Sequence, residues 1–253
     1  MRETLAALEA GEIGVEEAES RLAGYATTDA GRFDAARERR RGIPEAILAE
    51  GKTPAEVAAL ATTALETTGR ALVTRADEAT ASAVTSAVGD ADATIDRDDR
   101  IGSVVAHAGD FEPPSLDAAV AVVAAGTADA PVAGEAAVVA REIGATVDRV
   151  DDVGVANLDR ILDQLDRIRE ADAVIVAAGR EGALPTVVAG LVDAPVIALP
   201  VSTGYGVGGE GVAALSGALQ SCSVLTTVNV DAGFVAGAQA GLIARAVDAA
   251  RAE

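Results

Sequence analysis

AVAVVAAGTADAPVAGEAAVVAREIGATVDRV, residues 119–150, carries the pattern that decides the fold. It opens on a short apolar run, 119–124, rich in valine and suited to a strand buried on both faces. A turn of small residues follows, in which Asp129 suits a helix N-cap and Pro131 the first helical turn. Over 131–143, Val132, Ala136, Val139 and Ile143 recur at helical spacing and give one buried stripe. A second strand is expected at 145–149, where Thr146, Val147, Asp148 and Arg149 alternate in polarity, as on a sheet edge.

The same alternation continues to the C-terminus. Short apolar runs at 173–177, 195–199 and 226–230 read as strands, and helices are expected near 154–169, 182–191, 210–220 and 234–250. Strand–helix alternation of this kind specifies a three-layer α/β domain with a parallel sheet in flavodoxin-like order, 2-1-3-4-5. Its ligands belong at the carboxyl ends of the strands, near the switch point. Upstream the pattern differs. Residues 15–69 read as helical, and Gly51–Pro54 as a loop opening a further helix. Strands are expected at 71–74 and 103–106 around a helix near 77–87, and 90–100 as an exposed acidic excursion. Pro113, Pro114 and Ser115 form a linker. The expectation is a smaller, mainly helical α+β domain over 1–115 and the parallel-sheet domain over 116–253.

Composition excludes several function classes. Forty acidic side chains face 20 basic ones, a formal net charge of −20, and Lys52 is the sole lysine. Such a surface repels nucleic-acid phosphates and anionic lipids. Abundant Val, Leu and Ile argue against disorder, so the charge reads as adaptation to a salt-rich cytoplasm. A single cysteine cannot form an internal disulfide, and the N-terminus lacks a signal-peptide pattern, so a reducing cytoplasm is expected. The uncharged stretch Gly211–Val230 is interrupted by Gly, Ser, Gln and Thr and reads as a helix followed by a strand rather than a membrane span.

Few residues offer chemistry. No cysteine or histidine pair has zinc spacing. Residues 126–131 could cap a helix or hold an anion at its N-terminus. Gly204, Gly206 and Gly209 satisfy G-x-G-x-x-G, but after the fourth strand, which suits a close-approach loop better than a dinucleotide fingerprint. Lys52 is an exception in a chain that otherwise uses arginine, and could contact phosphate or carboxylate. Cys222, in Gln220-Ser221-Cys222-Ser223, sits among polar neighbours at a helix–strand break, where a nucleophilic thiolate could be exposed. His107, the single histidine, has no adjacent acid pattern and reads as structural.

Taken in order, these segments resemble the LarB family of nickel-pincer nucleotide biosynthesis carboxylases, whose C-terminal domain is similar to PurE-type aminoimidazole ribonucleotide (AIR) carboxylases. Asp34, Arg37, Arg41, Gly42, Pro44 and Glu45, then Gly51, Lys52 and Thr53, match the family's N-terminal elements. AGTADAPVAGEA (125–136), DVGVANLDRIL (152–162), GREGALPTVVAGL (179–191), ALPVSTGYG (198–206), LQSCS (219–223) and VNVDAGF (228–234) follow. Ala128 and Ala232 depart from the usual serine and asparagine. Aligning Leu184-Pro185 with the purine enzymes' H-L-P element places Ala183 where their catalytic histidine stands.

The resemblance implies a homo-oligomeric enzyme that carboxylates the pyridinium ring of nicotinic acid adenine dinucleotide and hydrolyses its phosphoanhydride. It implies Cys222 as nucleophile and, with Glu181 in a family motif, a candidate base. Lys52, Thr53, Arg37, Arg41, Gly126, Thr127, Asp129, Ser202, Gly204, Tyr205 and Asp231 are the implied substrate contacts. Asp129 and Asp231 could ligate Mg2+, which would assist phosphoanhydride hydrolysis. The alternatives are a purine-pathway AIR carboxylase or mutase and a non-catalytic nucleotide-binding module.

Overall fold

The computed structural model describes residues 2–89 and 92–252, which fall into two compact units, one up to Glu112 and one from Pro113. The first contains α1 (Arg2–Glu9), α2 (Val15–Ala23), β1 (Ala26–Thr28), β2 (Gly31–Phe33), α3 (Arg37–Arg41), β3 (Ile47–Leu48), α4 (Pro54–Thr68), β4 (Arg70–Thr74), α5 (Glu78–Gly89), β5 (Ala93–Asp98) and β6 (Ser103–Ala108). Its four-stranded sheet has the order β3-β4-β6-β5, and a core of Val57, Leu60, Ala61, Val73, Val84 and Val104 packs α4 and α5 against it.

Two expectations for this unit are corrected. Residues 15–69 are not uniformly helical, because Thr27 and Thr28 enter the β1–β2 hairpin. There the Thr28 hydroxyl donates to the Gly31 carbonyl at 3.0 Å and accepts from the Ala30 N–H at 3.1 Å. The acidic stretch is no excursion either. Asp90 and Ala91 lie outside the described residues, but Ala93–Asp98 is an antiparallel edge strand paired to β6 along its length. Its half-buried Ile95 lies against the core, whereas Asp96 and Asp98 belong to a strand whose charged residues keep an edge from pairing further.

The second unit contains β7 (Ala119–Ala124), α6 (Ala130–Ile143), β8 (Thr146–Val150), α7 (Asp159–Leu162), α8 (Leu165–Arg169), β9 (Ala173–Ala178), α9 (Ala183–Ala189), β10 (Val196–Pro200), α10 (Val212–Leu219), β11 (Thr226–Thr227) and α11 (Gly233–Arg251). Its sheet has the order β11-β10-β9-β7-β8, all parallel, which is the flavodoxin-like order with β8 at one edge. Along β7 the period of two divides the strand between two cores. Val120, Val122 and Ala124 pack with α6 and α11, while Ala121 and Val123 pack with Ile161, Ile168, Leu184 and Val188 on the other face.

With few aromatics available, layers approach closely instead of filling space with large rings. Gly233, Gly237 and Gly241 form a stripe on α11 that lies against α6. A Cβ on Gly237 would come within 2.4 Å of the Ala136 carbonyl oxygen. Two elements are shorter than their sequence pattern. The helix expected over 154–169 breaks into α7 and α8, and the last strand keeps only Thr226 and Thr227 in register with Ile197 and Ala198. Among the described residues no helix is long and apolar enough to cross a membrane.

Candidate active site

The loops after β7, β8, β9 and β10 converge at the carboxyl end of the sheet, where the strand order reverses, and enclose an open cleft of about 630 Å³. Gly126, Thr127 and Asp129 line one side, Asp152, Gly154 and Arg160 another, and Arg180, Glu181, Thr203, Gly204 and Tyr205 the rest. This is where open parallel sheets bind ligands.

Asp129 stands at the N-cap of α6, but its side chain does not cap the helix. One carboxylate oxygen accepts from the Gly126 N–H at 2.9 Å and the other from the Thr203 hydroxyl at 2.6 Å. Buried, and with both oxygens accepting, it ties the β7 loop to the β10 loop. A second tie joins the β9 and β10 loops, where the Arg180 N–H donates to the Thr203 carbonyl at 2.9 Å. Only glycine permits that approach, since a Cβ on Gly179 would lie 2.2 Å from the Thr203 hydroxyl oxygen. Asp231 adds a third tie, its Oδ1 accepting from the Ser202 N–H at 2.9 Å.

The cleft's two cations differ in their engagement. Arg160 donates to the Asp152 carboxylate at 3.1 Å and to the Asp152 and Gly154 carbonyls at 3.0 and 3.3 Å. Arg180 makes no ion pair among the described residues, and its guanidinium stacks over the exposed Tyr205 ring, 4.2 Å from the centroid. Glu181, next along the loop, is exposed to the cleft and has no hydrogen-bond partner among the described residues. Arg180 and Asp152 both adopt left-handed backbone conformations, φ 50° and 60°, a cost of order 1 kcal/mol or more that concentrates at functional loops.

Cys222 is exposed and does not line this cleft. It lies between α10 and the start of β11, which runs parallel to β10, so it sits toward the amino end of the sheet while the cleft opens at the carboxyl end. The flanking serines pin the turn to α9. The Thr186 hydroxyl donates to the Ser221 hydroxyl at 2.9 Å and the Ser223 hydroxyl donates to the Thr186 carbonyl at 3.1 Å. No hydrogen bond joins Cys222 to Glu181 among the described residues, although a Cβ on Gly217, in the helix that precedes Cys222, would lie 2.8 Å from the Glu181 carbonyl oxygen.

Three of the first unit's candidates, Arg37, Lys52 and Thr53, make contacts within that unit. Arg37 pairs with Glu45 at 2.7 Å, and Arg40 with Asp34 at 2.6 Å, inside the same motif. Arg41 is exposed at the end of α3, and the exposed Lys52 donates to the Leu48 carbonyl at 2.7 Å. Thr53 caps α4. Its N–H and hydroxyl donate to the Glu56 carboxylate at 2.7 and 2.8 Å, and its hydroxyl accepts from the Glu56 N–H at 3.3 Å, a full capping box. The Thr53 backbone N–H first, then its hydroxyl, hold the Glu56 carboxyl below its ordinary value.

Asp129 and Asp231 are hydrogen-bonded to the loops around them rather than gathered with further carboxylates. Both Asp129 oxygens already accept protein hydrogen bonds, and no group of three or more His, Cys, Asp or Glu suited to a metal occurs among the described residues. Sequence reasoning missed Arg180 and Thr203, although both stand in the quoted motifs. Their roles depend on two loops meeting through Gly179, which spacing along the chain does not reveal.

Comparison with known proteins follows the same division. A family model described as LarB/PurE-like N-terminal domain matches residues 25–104, and one described as AIR carboxylase matches residues 119–253. An uncharacterized protein of Methanocaldococcus jannaschii is 34% identical over 254 aligned residues, covering 97% of each chain. With both halves matched in order and the second folded as a parallel sheet with its cleft at the switch point, the chain belongs to the LarB family of LarB/PurE-like carboxylases.

Proposed function

We propose that the chain carboxylates the pyridinium ring of nicotinic acid adenine dinucleotide with carbon dioxide and hydrolyses the phosphoanhydride, releasing AMP and pyridinium-3,5-biscarboxylic acid mononucleotide. The observation that carries this reading is a PurE-like cleft that lacks the purine enzymes' histidine. Ala183 opens α9 at that position, and the chain's single histidine, His107, stacks on Phe111 in the first unit. The same observation opposes the purine-pathway alternative, while the cleft, with Glu181 open to it, opposes a module without chemistry.

An electron-poor pyridinium carbon cannot attack carbon dioxide. Addition of the Cys222 thiolate to the ring makes a neutral dienamine, whose adjacent carbon has the electron pair that forms the new C–C bond. Glu181 then takes the ring proton at that carbon, and the electrons expel the thiolate and restore the aromatic ring. Because Cys222 does not line the cleft of its own chain, this reading sets the thiol of one copy at the cleft of a second, in a homo-oligomer. A magnesium ion would enter on the substrate's phosphates and neutralise part of their charge. Acidic charge and a lone cysteine support a small-molecule enzyme of a salt-rich, reducing cytoplasm, without nucleic-acid or membrane partners.

Mass spectrometry after incubation with the dinucleotide, bicarbonate and magnesium tests the reaction, with AMP and a carboxylated mononucleotide expected. Cys222→Ser should keep dinucleotide binding and lose carboxylation at least about 10³-fold, near 4 kcal/mol in the barrier. Co-folding Cys222→Ser with Glu181→Gln should restore part of the activity that each lacks alone. Carboxylation by Cys222→Ser near the wild-type rate sinks covalent catalysis, and absence of complementation sinks the shared site.

A further inference from the structure

We propose that Arg180 is the anion-recognition residue of the cleft and that Tyr205 occupies its guanidinium until the anion arrives. The assignment deepens the proposed function and rests on it for the identity of the substrate. A chain at −20 surrounds itself with a potential that opposes an anionic ligand, so binding needs a local cation within the cleft.

Among the cleft's lining residues the cations are Arg160 and Arg180. Arg160 already satisfies its guanidinium with the Asp152 carboxylate and two carbonyls. Among the described residues Arg180 has no carboxylate partner, although the chain carries 40 acidic residues to 20 basic ones. What it has is the Tyr205 ring at 4.2 Å, a contact much weaker than a bidentate pair with carboxylate or phosphate.

The backbone holds Arg180 in this place deliberately. Its left-handed φ of 50° is fixed by the hydrogen bond from its N–H to Thr203, and Gly179 allows the two loops to touch there. The Asp129–Thr203 bond anchors the opposite side of the same junction. Tyr205 sits two residues after Thr203, in a glycine-rich segment, and 79% of it is exposed. The ring is thus held by little besides the guanidinium it covers, and that guanidinium can fork onto two oxygens once the ring moves aside. Because Glu181 is adjacent, an anion on Arg180 lies close to the group proposed to take the ring proton. The pyridine carboxylate and the substrate's phosphate offer the same anionic oxygens, and experiment separates them.

The test measures binding of three probes at constant high salt: nicotinic acid adenine dinucleotide, NAD, which carries an amide in place of the ring carboxylate, and inorganic pyrophosphate. Calorimetry compares wild type with Arg180→Gln and Arg180→Lys, and circular dichroism confirms that each folds. Loss of a charge-assisted pair predicts a 10- to 100-fold weaker constant, about the range for such bonds, in Arg180→Gln. A loss confined to the nicotinate dinucleotide assigns the ring carboxylate. A loss shared with NAD and pyrophosphate assigns the phosphate. Tyrosine emission in a Tyr25→Phe background, where Tyr205 is the sole tyrosine, should change on binding and stay unchanged in Arg180→Gln. Wild-type binding of the nicotinate dinucleotide that Arg180→Gln reproduces overturns the assignment alone. Arg180-dependent binding of pyrophosphate without binding of either dinucleotide overturns the proposed substrate instead, and wild type that binds none of the probes overturns both.

Discussion

Replacing Thr53 with alanine separates two roles that its motif could serve. Its hydroxyl and N–H are engaged with Glu56 at the start of α4, so Thr53→Ala should cost about 1 kcal/mol of stability and roughly 2–4 °C in Tm. The substrate constant should stay near that of wild type if capping is its work, and calorimetric melts alongside kinetics check both. The sign of its pH dependence follows from Glu56. A carboxyl held low in the folded state stabilises above its ordinary value, and that contribution disappears as the pH falls through the lowered one. The backbone N–H, the larger cause, is kept in Thr53→Ala, so the Tm gap between wild type and variant should narrow on acidification by the hydroxyl's share without closing. Asp129 illustrates what a residue's place along the chain can reveal. Its N-cap position was legible from the turn before Pro131, but its carboxylate serves Thr203, 74 residues away, because tertiary contact brought stronger donors than the helix end.

At the scale of elements, the pairing of α6 with α11 depends on side chains that are absent. Gly237→Ala sets a methyl group 2.4 Å from the Ala136 oxygen, so the helices must separate. The expected loss is about 1–3 kcal/mol, read as a lowered Tm, whereas Ala246→Gln on the exposed side of α11 should stay within about 0.5 kcal/mol. Equal melting of the two variants would show that the stripe does not set the helix spacing. The same small-residue chemistry explains what was readable. Runs such as 119–124 and 173–178, apolar on both faces, leave little choice but a central parallel strand. Ala93–Asp98 was hidden because its alternate residues are charged and acidic density resembles a loop, although Ile95 supplies the inward face. The β1–β2 hairpin was hidden because three-residue strands are too short for periodicity to register.

Across the whole molecule, the net charge of −20 sets the conditions of folding. At about 1 M salt the screening length is near 3 Å and carboxylates a side chain apart ignore each other, while at about 0.1 M it is near 10 Å and they do not. Dialysis from molar potassium chloride to about 0.1 M should therefore lose helical circular dichroism, and full structure and activity after dialysis would refute salt adaptation. Molar salt does less to a half-buried pair such as buried Arg70 with the partly exposed Glu38 than to carboxylates on the open surface, so the cores should outlast the surface. Lys52 and Cys222 together have a practical use. The chain carries a single side-chain amine and a single thiol, both exposed, one in each compact unit. With the α-amino group blocked first near neutral pH, where it is the more reactive amine, two dyes of different reactivity can be placed on the native sequence, one per unit, making the molecule its own ruler for energy transfer. Salt or dinucleotide that draws the units together or apart would be read as a change in transfer efficiency, with no engineered residue in the chain.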